Sequence, residues 1–93
     1  MRRSYRSQAA IILDLLEALS AHGVLGPSRL TQEVNLPHVR LREYLSHLLE
    51  RGVIREVEVE GSRTGYELTE DGFRLLVELR RMKRLFDSLG LRL

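Results

Sequence analysis

Apolar positions change their spacing several times along the chain, and each change marks an element. Ile12, Leu15, Leu16 and Leu19 recur at the three- and four-residue spacing of a helix face. Ser7 is placed to cap that helix, which is expected to run to about His22 and to stop at Gly23. Val24 and Leu25 are too few for a helix and read as a brief extended segment. The turn Gly26-Pro27-Ser28 leads into a short second helix with Leu30 and Val34 facing inward at i, i+4. Asn35-Leu36-Pro37 then interrupts the chain. Pro37 disfavours helical geometry at Leu36 yet suits the first turn of a new helix. This third helix is expected to reach about Arg51, with Leu41, Leu45 and Leu48 as its buried stripe, Tyr44 and Leu49 on its flanks, and Gly52 after it. Two helices joined by so short a turn form a helix-turn-helix.

Beyond Gly52 the period drops from helical to alternating. Val53, Arg55, Val57 and Val59 alternate with Ile54, Glu56, Glu58 and Glu60, which predicts a strand with one wet face. Gly61-Ser62-Arg63-Thr64-Gly65 reads as a five-residue hairpin loop, and Tyr66-Glu67-Leu68 as the returning strand. Thr69 is a capping residue, and Glu70 and Asp71 fall in a first helical turn, where the dipole favours acids. The last helix is expected to run to Leu89 with Gly90 at its end. The predicted fold is mainly α with a small β-hairpin: a winged helix-turn-helix over residues 1–69, followed by a long coiled-coil-type helix over 70–93 packed on it and available for dimerisation.

At 93 residues the chain has room for one core. Its longest apolar run, Ala9 to Leu13, is far short of the roughly 20 residues that cross a bilayer, so no membrane role is expected. The opening MRRSYRSQ is basic but lacks the apolar stretch of a secretion signal, and a cytoplasmic, nucleoid-associated chain is the expectation. The absence of cysteine excludes disulfides, thiol catalysis and cysteine-bound zinc. Net charge is only +2, but it is unevenly spread. Residues 1–55 carry eight basic and five acidic side chains, residues 56–71 one and six, and residues 72–93 six and two. Such asymmetry suits a protein with one positive and one negative face.

The third helix is the candidate reader of bases. With Leu41 inward, Val39, Glu43, Ser46 and Glu50 point outward, and His38, Arg40, Arg42 and His47 flank that face just beyond Pro37. In a major groove, Arg40 and Arg42 would reach guanine edges or phosphates. Glu56, Glu58 and Glu60 repel phosphate, so either their face turns from DNA or the wing does not track the backbone. Arg63, placed at the wing tip, suits a phosphate or a minor groove. Arg2, Arg3 and Arg6 form a candidate phosphate-binding arm.

A second signal lies in the last helix. Leu75, Leu79, Met82, Phe86, Leu89 and Leu93 follow a heptad seam suited to a second copy of the chain. Phe73, Leu76 and Val77 form a separate group expected to dock the helix on its own domain. Arg80, Arg81, Lys83 and Arg84 flank the seam, where Glu78 and Asp87 are possible partners across an interface. His22, His38 and His47 do not share metal-ligand spacing, and neither a nucleophile elbow nor a Gly-rich phosphate loop is present, so neither a cofactor nor an enzyme is expected.

The stretch Asn35-Leu36-Pro37, Tyr44-Leu45, Leu48, Val53-Ile54 and Tyr66-Glu67-Leu68-Thr69-Glu70-Asp71-Gly72, leading into a leucine-rich helix, resembles archaeal winged-helix DNA-binding proteins, and most of all the small 10a family. The resemblance implies a homodimer on double-stranded DNA, joined through an antiparallel coiled coil of C-terminal helices. It places the recognition helix over Pro37 to Arg51 and the wing over Ile54 to Leu68. Scarce lysine and an acidic wing strand depart from an abundant chromatin protein and favour a transcriptional regulator. The rival expectations are a non-specific architectural protein and a winged-helix scaffold that never touches DNA. The sequence leaves any small-molecule effector undetermined.

Overall fold

Ser7 opens the first helix, α1 (Gln8–His22), by accepting the Ala10 N–H on its hydroxyl at 3.0 Å. The computed structural model describes residues 6–93. The further elements are α2 (Pro27–Val34), α3 (His38–Glu50), β1 (Ile54–Val59), β2 (Arg63–Leu68) and α4 (Glu70–Ser88). Together they build a winged helix-turn-helix whose last helix is the longest.

At the centre, α1 meets α2, β2 and α4 on different sides, so it is buried around much of its girth. Ile11, Leu13, Leu15, Leu16, Ala18 and Leu19 are all buried, while Ile12, expected on the inner stripe, is only partly covered. A single-stripe reading fails here because several neighbours pack on one helix.

The helix-turn-helix follows the sequence closely. Leu30 and Val34 of α2 and Leu41, Leu45 and Leu48 of α3 are buried as expected, with Leu36 of the turn between them. Asn35 ends α2 in the left-handed region at φ 54°, a conformation its short polar side chain tolerates. Pro37 then serves as the N-cap of α3.

In the wing, β1 and β2 pair antiparallel from Ile54 opposite Leu68 to Val59 opposite Arg63. Leu25 adds a third, one-residue rung: its N–H donates to the Tyr66 carbonyl at 3.1 Å, and Tyr66 N–H returns to Leu25 at 2.9 Å. The expected five-residue loop is in fact a tighter turn over Glu60, Gly61 and Ser62, with Gly61 and Ser62 at φ 73° and 63°. Arg63, Thr64 and Gly65 therefore belong to β2. Gly65 is not loop punctuation but a point of close approach, since a Cβ there would stand 2.6 Å from Val24 Cγ1.

Thr69 joins the wing to α4, accepting the Gly72 N–H at 3.1 Å while its hydroxyl donates to the Gly52 carbonyl at 2.5 Å. Of the group expected to dock α4, only Leu76 is buried; Phe73 and Val77 are about half exposed. Leu75 and Leu79 take their place against the core. The helix direction is fixed further by Arg80, which grips Glu17 of α1 through both carboxylate oxygens at 2.7 and 2.8 Å. After Gly90, at φ 72°, the chain turns back: Leu93 packs on the core and its carbonyl accepts the Ser7 hydroxyl. Among the described residues no helix is long and apolar enough to cross a membrane.

Candidate nucleic-acid interface

The outer face of α3 is bare along its whole length. His38, Val39, Arg42, Glu43, Ser46, His47 and Glu50 form one shallow surface that, among the described residues, no other element lines. Val39 is 72% exposed, the most exposed large apolar side chain among the described residues. The buried stripe explains the geometry: with Leu41, Leu45 and Leu48 anchored inward, residues about half a turn away must point outward.

The two arginines expected to lead this face have different surroundings. Arg40 turns toward α1, its guanidinium 6.0 Å from the centre of the Tyr44 ring, in a groove shared with Gln8, Ile12, His47 and Arg51. Arg42 turns toward the wing and lines a cleft of about 380 Å³ with Pro27, His38, Leu41, Leu45, Glu56, Thr64 and Tyr66. Neither arginine forms an ion pair among the described residues. Their charges are therefore available to an anion.

Glu56 stands in that cleft, directly opposite Tyr66 in the hairpin register. The acidic strand thus carries one carboxylate toward α3. Burial pushes the Tyr66 hydroxyl above the usual phenol range; Glu56 adds to the rise and Arg42 works against it. On the other face of the hairpin, Arg55 and Glu67 neutralise each other at 2.7 Å.

Arg63 closes the wing turn from within β2, paired with Val59, rather than lying in a loop. As the first residue of β2 it borders a groove of about 540 Å³ with Val24, Gly26, Pro27, Ser28, Arg29, Val59 and Thr64, beside the start of α2. Arg29 was not singled out by the sequence, yet it shares this groove with Arg63. The signal that could have found it is its place in the first turn after Gly26-Pro27.

Arg6 is tied down. It pairs with Asp14 at 2.6 Å and donates to the Asn35 carbonyl at 3.1 Å, pinning the start of the chain to the turn before α3. A phosphate contact by Arg6 would have to break both. Arg2 and Arg3 lie outside the described residues. His22 closes α1 with its imidazole 3.4 Å from Glu33 of α2.

On α4, Met82, Leu85 and Leu89 are exposed and Phe86 is half-buried, so the outer half of the expected seam is open. Leu85, absent from the expected seam, joins it because Leu75 and Leu79 roll toward the core. Of the charged residues flanking it, Arg81 pairs with Glu78 and Lys83 with Asp87 within the helix, rather than waiting for a partner.

A family model described as winged helix-turn-helix matches residues 5–87. Among solved structures, Sso10a-2, a DNA-binding protein from Sulfolobus solfataricus, superposes with a TM-score of 0.82 at 24% identity, covering 91% of this chain and 86% of that one. A MarR family transcriptional regulator from Silicibacter pomeroyi DSS gives 0.74 at 22% identity, over 84% of this chain and 53% of its own. The PcaV transcriptional regulator from Streptomyces coelicolor gives 0.73 at 27%, over 85% and 62%. The chain thus spans most of the Sulfolobus protein but less than two thirds of either regulator. No curated protein matches it by sequence.

Proposed function

The chain belongs to the winged helix-turn-helix family, and from that premise we propose that it is a homodimeric double-stranded-DNA-binding protein, a transcriptional regulator reading the major groove with α3. The observation that carries this reading is the uncovered outer face of α3, with Arg42 unpaired at its edge. An α-helix fits the major groove of B-DNA, and the outward side of α3 combines a guanidinium, a hydroxyl and an exposed valine. Arg42 suits guanine O6 and N7, Ser46 suits several bases, and Val39 suits a thymine methyl. His38 and His47 lie within reach of the same surface, with Pro37 setting the helix start. On this reading Arg63, beside the start of α2, would meet a flanking phosphate, Arg29 could join it only by leaving Glu33 at 3.4 Å, and Arg40 would serve the opposite flank.

Selection of bound duplexes from a random pool tests the reading. A recovered motif with two-fold symmetry supports it, whereas tight binding without a common motif makes the protein a non-specific architectural one. Replacement of Arg42 by Ala is then expected to weaken binding to the selected duplex by about 1–3 kcal/mol. A purely phosphate role would lower affinity for all duplexes alike and reduce the salt slope by about one unit.

A second reading is favoured by one observation: Glu56 sits beside the recognition helix, where phosphate is unwelcome. On that reading the winged helix is a protein-interaction scaffold. Gel shifts on mixed duplexes at low and moderate salt separate the two, because phosphate-based binding appears at low salt and fades as salt rises.

A further inference from the structure

Arg42 and Glu56 carry opposite charges into one cleft without pairing. They line it from α3 and β1 respectively, with Tyr66 and Thr64 of β2 between them, and no N–O contact within ion-pair distance joins them. Glu56 is exposed, like Arg42, but the strand that carries it is well anchored. Tyr66, its cross-strand neighbour, is buried, and its backbone is bonded in both directions to Leu25. The guanidinium projects from α3 beside the buried Leu41 and Leu45. A duplex seated on α3 therefore meets a cation and an anion at the same edge.

Phosphate is present on every duplex, while a matching base edge is present only on some. A positive side chain alone strengthens both kinds of binding, and specificity is their difference. A negative charge at the groove wall penalises the phosphate contact without occupying the base-reading face. We propose that Glu56 is a specificity-determining residue of the DNA interface, its carboxylate opposing the backbone so that Arg42 gains chiefly from base edges. This rests on the reading of the protein as a DNA binder. It is a role for one charge at one place, since Glu60 lies in the wing turn and is not part of the cleft.

The test compares the full-length protein with Glu56→Gln, Glu56→Asp and Glu60→Gln on two probes, the duplex recovered by selection and an unrelated mixed-sequence duplex. Glutamine keeps the shape and a hydrogen-bonding group but removes the charge, so thermal melting of Glu56→Gln should match that of the parent. Its affinity for the unrelated duplex is expected to rise about fivefold, the effect of one charge contact in a water-like dielectric. Affinity for the selected duplex rises distinctly less, and the ratio between the two falls. Glu56→Asp, which retains the charge, restores the ratio. Glu60→Gln makes the same change in net charge and leaves the ratio in place. If Glu56→Gln leaves the ratio unchanged in a protein that binds both probes, the role of Glu56 is overturned and DNA binding stands. The same holds if Glu60→Gln lowers the ratio equally. If the parent protein binds neither probe, the underlying reading falls and the role of Glu56 with it.

Discussion

Gly72 sits where α4 begins, with its Cα against the carbonyl of Val53. A Cβ built on it would lie 2.1 Å from that oxygen and 3.1 Å from Leu68 Cδ2. Because the nearest atom is backbone, no side chain can swing aside. Gly72→Ala must push the first turn of α4 off the wing, and overpacking of this kind costs about 1–3 kcal/mol. Thermal melting should therefore drop by several degrees, at about 4–8 °C per kcal/mol for a domain of this size. An unshifted melting temperature would mean that the helix start is not so tightly seated. The resemblance that flagged Tyr66 to Gly72 quoted this glycine without its reason, because the oxygen it accommodates is 19 positions away in sequence. The same limit applies to Gly65. A glycine beside Arg63 and Thr64 reads locally as loop, and only the approach of Val24 reveals it as strand. Read as loop, Arg63 loses its place as the first residue of β2. With the register counted from the actual turn, Glu56 falls opposite Tyr66 and the cleft residues could be named from sequence.

Elements were more legible than the residues within them. Caps, glycine stops and spacing located α2, α3 and α4 closely, because these are local signals: Ser7 and Thr69 cap as their side chains require. How the elements roll against one another is not local. Leu75 and Leu79 turned inward and Phe73 and Val77 outward because α4 is oriented by its packing on α1 and β2, with Arg80 on Glu17 as a further tie. The hydrogen bond from Arg80 is the main cause holding the Glu17 carboxyl below its usual value of 4.5; slight burial opposes it and the Coulomb attraction of Arg80 assists. A carboxylate depressed by folding stabilises the native state above its unfolded pKa, and that contribution is lost as pH falls through the lower folded value. Glu17→Gln should accordingly melt below the parent at neutral pH, and the gap should narrow as pH falls below about 4.5. The gap should be modest and should shrink with added salt, since both side chains are substantially exposed. A gap that persists in acid would assign the effect to packing rather than to charge.

At the scale of the whole molecule, the chain carries one α3 and leaves an apolar strip on α4 exposed. Met82, Leu85 and Leu89 are 44%, 52% and 63% exposed, whereas the inner side of the same helix is anchored by Leu76. Leu93 does not prolong the strip, for the reversal at Gly90 returns it to its own core. A self-complementary contact along this strip is the isologous interface a two-fold dimer needs. In the proposed dimer it fixes the separation of two α3 helices, and half-sites about 34 Å or a multiple apart follow if both enter grooves on one side of the duplex. Met82→Glu with Leu89→Glu tests this without disturbing the fold, since both side chains already face solvent in the protomer. Sedimentation should then give a species of 10.8 kDa, half the mass of the parent dimer. The variant should still occupy a single half-site weakly, because α3 and its cleft are intact, but it should lose the gain that comes from tethering two of them. If the double variant sediments like the parent, the interface lies elsewhere. The Phe73 and Val77 pair, half exposed near the other end of α4, would then be the surface to change next.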